Sequence, residues 1–337
     1  MKKYFVLISI ILVSFACQKK QDQIKIDALP LLSGPYMGQK PPGMEPELFA
    51  PGIVSTGMAE LNAMFSPNYK SFYYSIRMPN RQLVIMTRYR QGQKWSAPQV
   101  AEFSGKYSDA DPLITPDGKW LYFISNRPID SSLKARKDWD IWRLENIDGK
   151  WSEAEHLPSP INTEADETYP SLTQTGTLYF TSSRKGSKGG SDIYSAQKNG
   201  RTFMAPTRLD GEVNSNYEGD VFVSPNEDYL IFKSYGRPGG NGLHISFREE
   251  GKWSHPKNMG KTINVTGHEY CPAVSPDGKY FFYTSAQTKT SIETPVKLTL
   301  DKIKEDYTQA FKQPQRGKSD IYWVDVKILD QYREKRQ

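Results

Sequence analysis

The chain has 337 residues, 12% of them aromatic, with 25 glycines, 23 prolines and a formal charge of +6 from 44 basic and 38 acidic residues. That is room for one large all-β domain or two ordinary ones, and aromatics set between frequent turn residues favour strands over helices. The basic residues are spread along the chain and no nucleic-acid module is visible, so the charge describes a mixed surface and gives no ground for a nucleic-acid partner.

Lys2 and Lys3 precede an apolar run, Tyr4 to Phe15, that is too short to cross a bilayer as an ordinary helix. "VSFAC" then ends at Cys17. Small residues before a cysteine, directly after an apolar stretch, resemble the lipobox of bacterial lipoproteins, although Ser14 stands where Leu is usual and Phe15 is bulky. The resemblance implies a signal peptide over residues 1–16 and a Cys17 that carries palmitate or a similar acyl chain. The product would be anchored to the outer or inner membrane of the cell envelope, facing the periplasm. An ordinary secretion signal cut nearby is the alternative. Cleavage leaves 42 basic and 38 acidic residues, a charge of +4. Residues 17–45, polar and then rich in Pro and Gly, read as a tether. With Cys17 acylated, Cys271 has no intramolecular partner, and its strand pattern suits a small buried side chain.

From residue 46 to 330 one sentence recurs. Glu60, Asp109, Glu167, Glu218 and Glu269 take equivalent places, spaced 49, 58, 51 and 51 residues apart. Each opens a strand that ends at a turn: "SPNY", "TPDG", "TQTG", "SPNE" and "SPDG". Pro presets the first turn dihedral, and Gly or Asn tolerates the left-handed one. A second strand follows, as in "LYFIS" and "LYFTS"; a third opens at Asp140, Asp192, His244 and Asp320; a fourth is marked by "KWSAP", "KWSEA", "TFMAP" and "KWSHP". A period near fifty with four short strands is the signature of a β-propeller, because one such sheet cannot cover its own two faces and radial stacking does. The fifth unit lacks the fourth-strand marker, and "PELFAPGIVSTGMAE" (46–60) resembles "AEHLPSPINTEADE" (154–167). The spacing therefore predicts five blades of four antiparallel strands, closed by an N-terminal strand that joins the last blade. Six blades are the alternative and need a further unit. Thr288 to Lys318 is an insertion in the last blade, with apolar spacing that predicts a short helix, and residues 331–337 form a tail.

The stretch "PINTEADETYPSLTQTGTLYFTSSRKGSKGGSDIY" resembles the Pro-Asp-Gly propeller repeats of TolB type, which are similar to WD repeats, in the form found in Bacteroidetes lipoproteins. The resemblance spans about residues 46–326 and implies a fold; such propellers bind, scaffold or catalyse alike.

In a propeller the five carboxylates circle one mouth of the central channel, where they could bind sugar hydroxyls or a cation such as calcium. Alternatively each accepts backbone N–H bonds and is structural. Arg77, Arg127 and Arg184 after the second strand, with Asp140, Asp192 and Asp320 opening the third, suggest Arg–Asp forks. Function is better sought where the repeat breaks: Tyr235, Arg237, His244 and His268 as candidate binding residues, with Gln287 in place of the Arg. No metalloprotease, nucleophile-elbow, phosphate-loop or zinc motif occurs. The expectation is a monomeric envelope lipoprotein without cofactor that binds or scaffolds a protein, peptidoglycan or glycan. The alternative is a glycosidase or polysaccharide lyase working at the acidic mouth.

Overall fold

The computed structural model describes residues 32–130, 134–286 and 319–333. Cys17, the signal segment, Gln287 and the insertion with its expected helix lie outside the described residues.

Five antiparallel units follow one another. Their first strands are Ala59–Phe65, Asp109–Ile114, Glu167–Leu172, Tyr217–Val223 and Glu269–Val274. Each pairs with the strand that follows it, and that strand pairs with a third. The "KW" marker is not itself the outer strand. Lys94–Trp95, Lys150–Trp151 and Lys252–Trp253 fold back on the end of the third strand as short hairpin arms. The outer pairings come a few residues later, at Gln99–Val100, Glu155–His156, Thr207–Arg208 and Lys257–Asn258. In the fifth unit the third strand, Ser319–Asp325, takes its outer partner from the other end of the chain: Glu47 pairs with Trp323 and Leu48 with Tyr322. First strands of successive units pack on each other, and that of the fifth packs on that of the first. This is the layout of a β-propeller.

The first turn of each unit is set by its own side chains. In "TPDG", Thr115 Oγ1 donates to Asp117 Oδ1 at 2.6 Å, Asp117 accepts from Lys119 N at 3.0 Å, and Gly118 takes φ +70°. Short polar side chains that bond their own turn relieve the backbone without a sheet partner.

A residue ahead of each acid joins the units. Five residues before the acid, or four in the fourth unit, stands a Ser or Asn that clips the third strand just left: Ser55, Ser104, Asn162, Asn214 and Asn264. Asn162 accepts from Ile141 N at 2.8 Å and donates to Ile141 O at 2.9 Å. Asn214 does the same to Ile193, and Asn264 to Leu243. Ser104 Oγ accepts from Ile85 N, and Ser55 Oγ clips Ile321 across 266 residues of chain.

The core sits at the junctions. Phe123, Leu121 and Trp142 pack with Tyr73 of the preceding unit; Phe232 and Val221 pack with Tyr179 and Ile193. The junction of the fifth unit with the first is the most aromatic. Phe49 is fully buried there, with ring centroids 5.2 Å from Phe282 and Trp323 and 5.7 Å from Phe72. Within the stretch read as a tether, Leu32, Tyr36 and Met37 are buried in this junction and Trp95 Nε1 donates to Gly34 O at 2.7 Å. At the other end, the 3-10 helix Val326–Tyr332 buries Ile328 and Leu329, so packed structure continues past the expected boundary at residue 330.

Phe49 lies on the N-terminal segment and touches both the first and fifth units. Phe49→Ala is expected to cost about 3–5 kcal/mol, the cost of truncating a buried ring. Chemical denaturation would read this as a lower midpoint with an unchanged slope.

Candidate functional site

The five recurrent acids are not presented to a ligand. All five are 0% exposed. Asp109 accepts from Ser104 Oγ, Gly105 N, Ser125 Oγ and Arg127 Nη2. Glu167 accepts from Thr163 N and Oγ1, Ser182 Oγ and Arg184 Nη2. Glu218 accepts from Asn216 N, Ser234 Oγ and Arg237. Glu269 accepts from Thr266 N and Oγ1 and from Ser285 Oγ, and Glu60 from Thr56 Oγ1. Asp109, Glu167, Glu218 and Glu269 thus tie the arriving connection to the end of their own second strands, while Glu60 is tied to the arriving connection through Thr56. A buried carboxylate with three or four donors is compensated in place.

Unit one departs from this frame by one residue. Glu60 lies opposite Ile76, whereas Asp109 lies opposite Ser125. No Ser faces Glu60, and Arg77 falls on the exposed end of the strand. Burial raises the Glu60 carboxyl to about 8, the Thr56 bond acting against this and the Asp320 charge adding to it.

Arg127 and Arg184 serve these acids and not the third-strand aspartates. Arg127 pairs with Asp109 at 2.8 Å and Arg184 with Glu167 at 3.2 Å. Asp140 is met by His156 at 2.9 Å and Arg136 at 3.3 Å, and Asp192 by Arg208. The expected forks to the third-strand aspartates do not form at Arg127 and Arg184. Arg237 belongs to the same structural set: Gly236 lengthens its loop by one residue, yet the guanidinium still reaches Glu218 at 2.9 Å and the carbonyls of Glu212 and Val213. His244 is likewise interior. It is fully buried, and burial lowers it to about 4. Its neutral ring lies 3.1 Å from Gly242 O through Nδ1 and 3.4 Å from Asn258 Nδ2 through Nε2. Neither Arg237 nor His244 is placed to meet a ligand.

Two residues beyond each acid the first strand bulges. The residues there are Asn62, Asp111, Tyr169, Asp220 and Cys271, all with φ between +49° and +63°. Left-handed Asn and Asp are ordinary; left-handed Tyr and Cys are strained, and such strain persists only where the surroundings enforce it. These five positions converge. Tyr169 Oη donates to Pro272 O at 2.9 Å and Cys271 N donates to Asp220 Oδ2 at 3.2 Å. Asn62 Oδ1 is buried without a protein partner. A cavity of about 20 Å³, lined by Asn62, Asp111, Tyr169, Phe222 and Pro272 among others, lies against them; that is room for one water. Burial first, and the Asp220 charge second, raise Asp111 to about 7. Burial and the same two carboxylates push the Cys271 thiol well up, so it is not a nucleophile.

Above this cluster stands Lys233, where the other units carry Ser75, Ile124, Thr181 and Thr284. Burial works against its charge, but Asp220, Tyr235 and Tyr217 outweigh it and its pKa is raised. Its ammonium lies 5.1 Å from the ring centre of Tyr235, 5.5 Å from Tyr270 and 5.8 Å from Tyr217. His268, exposed, sits 6.2 Å from Tyr235. Of the four irregular candidates, then, Tyr235 and His268 belong to one cluster with Tyr217, Lys233 and Tyr270. Partly exposed phenols around one ammonium offer flat apolar faces and hydroxyl donors together. Among the described residues no group of three or more His, Cys, Asp or Glu stands together as a metal site.

No family model matches the chain, and no curated protein does. Among solved structures it is similar in shape to a protein assigned as TolB from Agrobacterium tumefaciens (TM-score 0.46, 16% identity, 69% of this chain and 72% of that one). A TolB from Acinetobacter baumannii scores 0.43 at 16% identity, over 68% of this chain and 50% of that one. An alpha-L-arabinofuranosidase from Lactobacillus brevis scores 0.44 at 17% identity, over 72% and 87%. At these scores the likeness is one of general shape and carries no chemistry across.

Glu60 and Asp111 both have folded pKa values above their ordinary ones, 4.5 and 3.8. The native protein therefore holds protons that the unfolded chain releases, and the stability they contribute, full below the ordinary values, is lost as pH rises through about 7 to 8. Thermal melts from about pH 5 to about pH 8 should show a decline that Glu60→Gln with Asp111→Asn flattens. An equal decline in wild type and variant would contradict these assignments.

Proposed function

We propose that the chain is a cell-envelope lipoprotein, cut after residue 16 and acylated on Cys17, that acts as a binding or scaffolding module. In this reading the five units are the blades of one ring closed by the pairing of Glu47–Leu48 with the last blade. The ligand is a glycan, peptidoglycan or protein partner held at the mouth formed by Tyr217, Lys233, Tyr235, His268 and Tyr270. The lipid anchor supplies the membrane attachment, and the protein works as a monomer without cofactor. One observation carries the reading: the acids that recur in every unit are consumed by the fold, while Lys233, Tyr235 and His268, which break the repeat, stand together with Tyr217 and Tyr270. A scaffold repeats; a site does not.

Pull-down on isolated peptidoglycan and on a panel of immobilised glycans tests this. Tyr235→Ala and Lys233→Met are expected to weaken capture about tenfold, the loss of one aromatic or charged contact of about 1.4 kcal/mol. Unchanged capture by both variants would refute the mouth as the site.

Asp111 and Asp220 favour a second reading, a glycosidase. A carboxyl raised to about 7 by burial and by the charge of a neighbouring carboxylate is the state a general acid needs. If that reading is right, the protein hydrolyses an aryl glycoside and Asp111→Asn reduces the rate at least about a hundredfold. Absence of turnover across an aryl glycoside panel leaves the binding reading standing alone.

A further inference from the structure

A second set of departures from the repeat lies far along the sequence from the mouth, at the junction of the second and third units. At two neighbouring junctions a Trp of one unit covers a Tyr of the unit before. Trp151 Nε1 donates to Tyr73 Oη at 2.8 Å, and Trp253 meets Tyr179 edge to face at 6.3 Å. In the third unit the equivalent residue is Phe203, which meets Tyr122 at 6.5 Å and has no indole N–H to donate. A cleft of about 310 Å³ opens there, at the small end of the range for small-molecule sites.

The cleft is chemically mixed. Trp120 forms one wall, with the guanidiniums of Arg143 and Arg201 4.4 and 4.9 Å from its ring centre. Arg143 is nearly buried and fully engaged, forked onto Glu155 at 2.7 and 3.0 Å and bonded to Arg201 O at 2.7 Å, so it holds the wall in place. Arg201 differs. Its side chain is 62% exposed, and its pairs with Glu145 and Glu155, at 3.1 and 3.6 Å, are to partly exposed carboxylates. Such surface pairs are weak and exchange readily. Lys198 crosses Gly176 so closely that a Cβ there would come within 2.8 Å of its Cδ, and its charge acts on the Asp117 carboxyl in the same lining. Gln174 adds an amide to the lining, while the hydroxyls of Thr115 and Thr173 are held within their own turns.

We infer that this cleft is a second ligand site, distinct from the mouth, for a sugar residue bearing a carboxylate. The ammonium of Lys198 and the guanidinium of Arg201 take the carboxylate, Arg201 leaving its surface carboxylates to do so. The Gln174 amide meets the hydroxyls, and Trp120 and Phe203 bound the ring. The Trp-to-Phe change is what makes room.

Glucuronic acid and glucose, titrated in parallel against the full chain by NMR, form the test. Wild type should bind glucuronate and bind glucose at least about tenfold more weakly, a difference of about 1.4 kcal/mol. Phe203→Trp restores the residue used at the other junctions and should abolish binding while leaving the melting temperature equal or higher. Lys198→Met with Arg201→Met, both on the surface, should weaken glucuronate to the level of glucose. The inference fails if wild type does not bind glucuronate, if glucose binds equally well, or if the Lys198 and Arg201 variant binds like wild type. Tyr235→Ala should leave glucuronate binding unchanged, which keeps this site separate from the mouth.

Discussion

The fold depends on one recurring constraint: a fully buried carboxylate at the head of each inner strand must find donors, and the chain supplies them from the segment that has just crossed between units. Placing a carboxylate at 0% exposure is costly unless it is paired and hydrogen-bonded. Ser104 and Gly105 serve Asp109, and Thr163 serves Glu167. Because these donors sit beside the Ser or Asn clips on the preceding third strand, each acid fixes the relation of one sheet to the next. Hydrophobic packing at the junctions then has a defined register in which Phe123, Phe180 and Phe232 are all completely covered.

That constraint leaves little freedom for chemistry at the repeated positions and moves it elsewhere. The bulge two residues beyond each acid turns a side chain into the left-handed region and brings five unlike groups together. Three of the five are Asn or Asp, which accept that backbone cheaply, and Tyr169 and Cys271 do not. The same geometry explains why Asp111 and Asp220 influence each other although they lie 109 positions apart in the sequence. Lys233, unique to its unit, answers the charge of Asp220 and is in turn ringed by three tyrosines. The mouth and the central cluster are therefore one electrostatic system.

Much of the fold was legible because strand and turn chemistry repeats: the acid, the Pro-Asp-Gly turn and the aromatic second strand each recur at fixed offsets. The candidate site was only half legible. Tyr235 and His268 stand beside Lys233 and its tyrosines, but Arg237 and His244 depart from the repeat for structural reasons, since one inserted glycine hid the arginine's ordinary role and a buried histidine replaced an aspartate bonded to the same strand. The left-handed positions carry no residue signature, because the repeated feature is a backbone conformation and the side chains differ. In the first unit the alignment on Ser75 and Arg77 slipped by one residue, which only the pairing of Glu60 with Ile76 exposes. The Asn clips were visible as a recurrent Ile-Asn or Val-Asn ahead of the acid, yet nothing in composition says that such an Asn bonds both backbone groups of a distant strand.

The most direct measurement of the central claim is unfolding free energy and ligand capture on one variant, Glu167→Ala. If the recurrent acids hold the sheets together, stability should fall by on the order of 3 kcal/mol as Arg184 and Thr163 lose their buried partner, while the folded fraction captures ligand as wild type does. A variant that keeps its stability but loses capture would contradict the account, since it would make Glu167 part of the site and not of the frame.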